Sequence, residues 1–178
     1  DAFQALAGID LMASINADGS TDRPRLAEAA RAAGIRFAED DGWSDIFSHV
    51  LVERIEPRLG FEALTVLDEY PAAEAALARR KPGDPRLSQR FELYALGVEL
   101  ANGFGELADA EEQRRRFELE MAEKALRYGE RYPLDEDFLA ALALMPPASG
   151  IALGLDRLVM LATGARRIEE VIWAPVPE

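Results

Sequence analysis

A chain of 178 residues, 49% of them apolar and 30% charged, has the length and composition of one folded domain with a core of its own. Its formal net charge of −13 keeps a protein soluble and repels a phosphate backbone, which argues against a main nucleic-acid platform unless a basic surface is local or lies on other sequence. The absence of cysteine and the single histidine, His49, exclude disulfides, thiolate metal sites and multi-histidine centres; this fits a reducing, cytoplasmic setting, and no apolar run has the roughly 18 residues of a membrane span.

The chain opens at Asp1, without methionine and inside an apolar helical pattern (Ala2, Phe3, Leu6), and so reads as a fragment or a processed product. Residues 1–60 read as a helical segment. Thr21 or Asp22 caps a helix over Pro24–Ala33 that stops at Gly34. Ser44 is expected to cap a second helix, whose apolar residues Ile46, Phe47, Val50, Leu51 and Ile55 recur at i, i+3/i+4 until Pro57 and Gly60 end it. His49 lies beside that stripe and reads as a partly buried structural histidine.

From Ala63 the texture changes. Ala63–Asp68 reads as a strand broken by Tyr70-Pro71, and Pro82, Gly83, Asp84 and Pro85 as a turn-rich loop. Gln89–Tyr94 and Val98–Phe104 read as strands. Asp109 and Glu112 form a capping box for a helix to about Tyr128, with Phe117, Met121 and Ala125 on one stripe, Arg114–Arg116 on a solvated face and Gly129 as the stop. Leu134–Met145 reads as a helix ended by Pro146-Pro147, followed by a short helix at Ile168–Val171 and a last strand at Ile172–Ala174. Strands from distant segments with helices between them predict an α+β fold with a largely antiparallel sheet over residues 61–178.

Two stretches carry chemistry. With Ala95-Leu96 as the centre of a two-residue hairpin, Glu92 pairs with Glu99. Two carboxylates across a ladder repel by up to about 1 kcal/mol, and they either diverge into water or hold a divalent cation such as Mg²⁺ between them. Beyond Glu99, a regular strand turns Asn102, Phe104 and Glu106 to the opposite face, whereas a bulge at Gly103 or Gly105 brings both sets to one pocket. There Asn102 suits an amino-acid carboxylate or a nucleotide, Phe104 a side-chain wall and Glu106 a cationic group; the alternative is a bulged edge strand with a buried Phe. The second stretch is Gly150-Ile-Ala-Leu-Gly154-Leu-Asp156-Arg157, glycines leading into an apolar helix. A helix N-terminus after close-packing glycines receives an anion, and Arg157 adds a planar cation for phosphate or a purine; the alternative is a tightly packed strand–turn–helix with Asp156 as cap.

The second stretch resembles motif 3 of the class II aminoacyl-tRNA synthetases, Gly-x-Gly-x-Gly-hydrophobic-Asp/Glu-Arg, with Ala152 replacing the central glycine. The run Glu99-Leu-Ala-Asn102-Gly-Phe104-Gly-Glu106-Leu, followed by Asp109 and Phe117, resembles the lysine-recognising segment of class II lysyl-tRNA synthetases. It is more similar still to the shorter synthetase-like enzymes that attach (R)-β-lysine to a lysine of elongation factor P. The resemblance runs from about Ala63 to Glu178 and is loose over residues 1–60. It implies a class II synthetase-like sheet flanked by helices, and ATP-dependent activation of lysine or β-lysine as an adenylate. The implied acceptor is elongation factor P, with lysine tRNA as the alternative and a non-catalytic binding module as a third reading.

By the same resemblance Glu92 and Glu99 hold Mg²⁺ with ATP, and Leu100 and Gly154 line the ATP site. Arg157, the implied catalytic residue, packs on the nucleotide, while Asn102, Phe104, Glu106 and Ala152 form the substrate pocket. Ala152 favours the protein-modifying enzymes, because the tRNA-charging ones generally keep glycine there. Motif 1, which builds a dimer interface, and motif 2, whose arginine grips the α-phosphate, have no counterpart; Arg90-Phe-Glu92 is only superficially similar to motif 2 and out of order. The chain therefore matches the C-terminal part of a catalytic domain whose intact form is expected to be a homodimer, and activity of this part alone is not expected.

Overall fold

In the computed structural model, residues 2–75 and 77–174 are described; Asp1, Ala76 and residues 175–178, which belong to the two expected segments, lie outside them. The first helical element is a π-helical turn, Phe3–Ala7, closed by Gly8, and a 3₁₀ turn follows at Leu11–Ser14. Helix α1 (Arg23–Ala32) starts on Asp22, whose carboxylate accepts from the Arg25 N–H at 3.1 Å, and carries Pro24 in its first turn. Helix α2 (Trp43–Val50) starts on Gly42 rather than on Ser44. Asp45 reaches back to accept the Gly42 N–H at 2.8 Å, which leaves Ser44 inside the first turn, exposed. The helix runs on through a π turn (Leu51–Ile55) and a 3₁₀ turn (Glu56–Arg58), so the whole stripe from Ile46 to Ile55 is buried. Phe47 stacks between Phe3, at 5.0 Å, and Trp43, at 5.5 Å, and meets Tyr70 edge-on at 6.4 Å. His49 is half-buried against Asp41, as its place beside the stripe suggested.

The sheet is clipped to this lobe. Its strands are β1 (Thr65–Asp68), β4 (Arg90–Ala95), β5 (Val98–Gly105) and β6 (Ser149–Leu153), hydrogen-bonded in the order β1-β4-β5-β6 with every pair antiparallel. Gly60 and Leu59 accept the N–H groups of Leu96 and Gly97 at 2.9 and 2.8 Å, fastening the β4–β5 tip to the end of the lobe. The expected loop at Pro82–Pro85 is shorter: Pro82-Gly83 is the turn of a small hairpin whose strands are β2 (Arg80–Lys81) and β3 (Asp84–Ser88).

Helix α3 (Ala110–Tyr128) is capped by Asp109, which accepts from both Glu111 and Glu112. The return half of the box is missing because the Glu112 carboxylate turns to Arg115 and Arg116. Arg116 is not on a solvated face: its side chain is 13% exposed and donates to the Ala78 carbonyl at 2.8 Å. Helix α4 (Glu136–Leu142) is shorter than expected, starting at the Asp135 cap and burying Leu139 and Leu142. Helix α5 (Leu155–Thr163) follows β6 directly. The strand expected at Ile172–Ala174 is a run of bends, since the N–H groups of Val171 and Ile172 both turn back to the Ile168 carbonyl.

The β4–β5 register differs from expectation in a way that decides the site. The turn is Leu96-Gly97, with φ of 52° and 77°, not Ala95-Leu96. Two left-handed residues match the twist of the flanking strands. Ala95 therefore pairs with Val98 and Tyr94 with Glu99, Leu100 is a one-residue bulge, and Glu92 pairs with Asn102 instead of Glu99. The bulge lies at Leu100 rather than at Gly103 or Gly105, yet it has the anticipated effect. Glu92, Tyr94, Glu99, Asn102 and Phe104 all share one face of the sheet.

Candidate functional site

The site face is organised around Glu92, which is 4% exposed. Its Oε1 accepts from an Arg90 guanidinium nitrogen at 2.7 Å and the Asn102 amide at 3.0 Å. Its Oε2 accepts from the Tyr94 hydroxyl at 2.6 Å and from the Tyr70 hydroxyl. A carboxylate offers about four lone-pair positions, and here four donors fill them. Burial, and then the carboxylate they donate to, push both phenols well above the usual tyrosine range, so they remain donors. Arg90 also stacks on the Tyr70 ring at 4.5 Å and donates to the Glu74 carbonyl at 2.6 Å. These partners are what allow a buried negative charge.

Toward the hairpin, Arg157 from the first turn of α5 donates to the Glu99 carbonyl at 2.9 Å and to Glu99 Oε2 at 3.0 Å. The Gly154 N–H donates to the bulged Leu100 carbonyl at 2.8 Å, tying the start of α5 to the bulge. A side chain at Gly154 would lie 3.4 Å from Arg157 Cδ, so the glycine gives the arginine its path back over the strand end. Glu99, Leu100, Gly154 and Arg157 thus converge, and this end is half-exposed rather than enclosed.

The substrate candidates form a row beside it. Ala152 pairs with Asn102 and Gly150 with Phe104, which places the Ala152 methyl next to the Asn102 side chain. Glu106 overlies Gly150: a Cβ there would come within 2.7 Å of Glu106 Oε1. Asn102 gives an N–H to Glu92, and its buried Oδ1 has no partner among the described residues. A cleft of about 510 Å³ near Phe104 is lined by Val66, Asp68, Phe91, Gly105 and Ser149, which the register puts on the face of the sheet away from Glu92 and Asn102, so it is separate from the row.

The donor chemistry distinguishes the two glutamates as holders of a cation. Mg²⁺ takes carboxylate oxygens at about 2.0–2.1 Å and keeps several waters. Glu99 Oε1 has no hydrogen-bond partner among the described residues and fits that demand. Glu92 could serve only by giving up one of its four bonds. No cluster of three or more acidic, histidine or cysteine side chains able to hold a metal occurs among the described residues.

Sequence reasoning missed Tyr70, Tyr94 and Arg90. The alternation Arg90, Glu92, Tyr94 was a usable sign that all three share a face of β4. Nothing local announces Tyr70, which reaches Glu92 from beyond the end of β1.

The family described as tRNA synthetases class II (D, K and N) matches residues 49–177. An elongation factor P–(R)-β-lysine ligase of Haemophilus influenzae (strain PittGG) is 42% identical over 171 residues, covering 96% of this chain and 51% of the relative. The enzymes of the same name from Proteus mirabilis (strain HI4320) and Klebsiella pneumoniae subsp. pneumoniae are 43% and 44% identical, covering 88% and 86% of this chain. The chain spans about half the length of these relatives.

Proposed function

This chain belongs to the class II tRNA synthetase family for D, K and N, and from that premise we propose that it is the lysine-recognising part of an ATP-dependent ligase. The whole enzyme activates lysine or β-lysine as an adenylate and passes it to a lysine of elongation factor P. The observation that carries this reading is the Leu100 bulge, which lines up Glu99, Asn102, Phe104 and Glu106 on one face beside Ala152 and Arg157. The relatives named for elongation factor P, the alanine at position 152 and the net charge of −13 support a protein acceptor over tRNA.

Each residue then has a task. Asn102 and Glu106 are separated by about 13 Å of strand, room for a long cationic amino acid lying along it. Glu106 takes the side-chain ammonium, Phe104 walls the methylenes, and Asn102 with Ala152 shapes the end that reacts. Arg157 lies against the nucleotide, with Gly154 and the Leu100 carbonyl forming its floor. Mg²⁺, when bound, supplies positive charge to the phosphates beside Glu99. A carboxylate oxygen of the amino acid attacks the α-phosphorus, pyrophosphate leaves, and the acceptor amine then displaces AMP. The chain has no match to the motif 2 arginine that grips the α-phosphate, and we expect no useful adenylate formation by these 178 residues alone.

Calorimetric titration of the chain with (R)-β-lysine, L-lysine and L-aspartate tests the recognition. Binding of the two lysines, their loss by about tenfold or more in Glu106→Gln, and no binding of aspartate are expected. Equal binding of aspartate would overturn the assignment. In the full-length protein, acylation of lysine tRNA without acylation of elongation factor P would move the acceptor.

A further inference from the structure

Glu56 sits on the 3₁₀ turn that ends the helical lobe, and its Oε1 lies 3.1 Å from the Tyr94 hydroxyl. That hydroxyl is also 2.6 Å from Glu92 Oε2, and Tyr94 is 0% exposed. A phenol carries one proton. The shorter contact needs it, because two oxygens at 2.6 Å with no hydrogen between them repel. The Tyr94 oxygen is then left facing Glu56 with lone pairs alone, so an ionised Glu56 has nothing to accept.

We propose that Glu56 is a further positioning residue of the site, donating a hydrogen bond from its own carboxyl group to Tyr94. The bonds then run one way, from Glu56 to Tyr94 to Glu92, and Glu92 in turn holds the Asn102 amide. The helical lobe thereby sets the orientation of a side chain in the substrate row. The charges facing Glu56 agree with this. Burial pushes its carboxyl up first, and Glu92 on β4 and Glu99 on β5 push it further; a proton from Tyr94 would lower it, but that proton is committed to Glu92, and Arg157 offsets the rise only in part.

A carboxyl group raised in the folded state adds stability that is complete below its ordinary range, near 4.5 here, and is lost as pH rises through the raised value. The Glu56→Gln variant keeps a donor and has no proton to lose, whereas Glu56→Leu has no donor. The inference rests on the reading of Asn102 as a substrate residue, so two measurements are paired. Thermal unfolding of the chain between pH 4.5 and neutrality should show the wild type losing ground to Glu56→Gln as pH rises. Thermal-shift titration with (R)-β-lysine and with L-lysine should show Glu56→Leu weakened roughly two- to tenfold and Glu56→Gln restored, the effect of one neutral hydrogen bond. Parallel pH profiles for wild type and Glu56→Gln, or equal affinities for the Leu and Gln variants, would overturn the proposal. If the wild type shifts with neither amino acid, the lysine reading falls, and the pH profiles still decide whether Glu56 donates to Tyr94.

Discussion

At the scale of single residues, the buried charge of Glu92 is stable only because every lone pair has a donor, two of them phenols and one a guanidinium. Glu92→Gln puts an amide N–H₂ where an acceptor stood, facing either the two tyrosines or Arg90 and Asn102. Removing one partner of a buried pair costs about 3–5 kcal/mol, and urea unfolding of the variant should show a loss of that size. A loss below about 1 kcal/mol would mean that the cluster rearranges freely. Ala152 makes a different kind of contribution. Its methyl lies beside Asn102 and is exposed, so it is free to touch a ligand rather than to fill the core. On the proposed function, Ala152→Gly in the full-length protein should move preference toward α-lysine, by roughly ten- to a hundredfold at most in relative kcat/KM for one methyl. An unchanged ratio would confine Ala152 to packing.

At the scale of elements, the β4–β5 hairpin decides which side chains meet. Leu96 holds a φ of 52° in a turn that favours glycine or asparagine. Leu96→Asn should therefore stabilise the chain by about 1 kcal/mol, read as a higher midpoint in thermal unfolding. Much at this scale was legible in the sequence: Asp22, Asp109, Gly129 and the spacing from Ile46 to Ile55 each specify a helix end or a buried face locally. The register was not, because Leu96-Gly97 lacks the usual Asn-Gly or Asp-Gly signal and a leucine hides the left-handed position. The bulge at Leu100 is set by its carbonyl bonding Gly154, a contact between segments that no local pattern encodes. For the same reason the candidate residues were legible as a set, whereas the Glu92 cluster needed Tyr70 brought from another strand end. At Ile172 the apolar sequence suited a strand, and a nearer acceptor at Ile168 took its N–H.

Across the whole molecule, burial is uneven. The core gathers Phe3, Ile9, Leu26, Trp43, Ile46, Phe47, Val50 and Ile55 in the helical lobe and reaches the sheet through Tyr70 and Tyr94. At the other end all five residues of β6 are exposed and α5 buries none. Val66, Ile151 and Leu153, on the face of the sheet away from the site, are 56%, 60% and 54% exposed. Arg157 and Gly154 thus stand on the least supported part of the chain, held by bonds to Glu99 and Leu100 more than by packing. Local opening costs little where few apolar contacts are lost. Amide hydrogen exchange at neutral pH should find α2 opening only with the whole fold, while β6 and the first turn of α5 exchange orders of magnitude faster. A ligand that bridges Arg157, Glu99 and Asn102 would couple these parts, so ATP with Mg²⁺ and (R)-β-lysine should slow exchange at β6 and α5 and leave α2 unchanged. Uniform protection across α2, β6 and α5 in the free chain would contradict this picture, because it would require packing at the β6–α5 end that the exposed leucines and isoleucine do not supply.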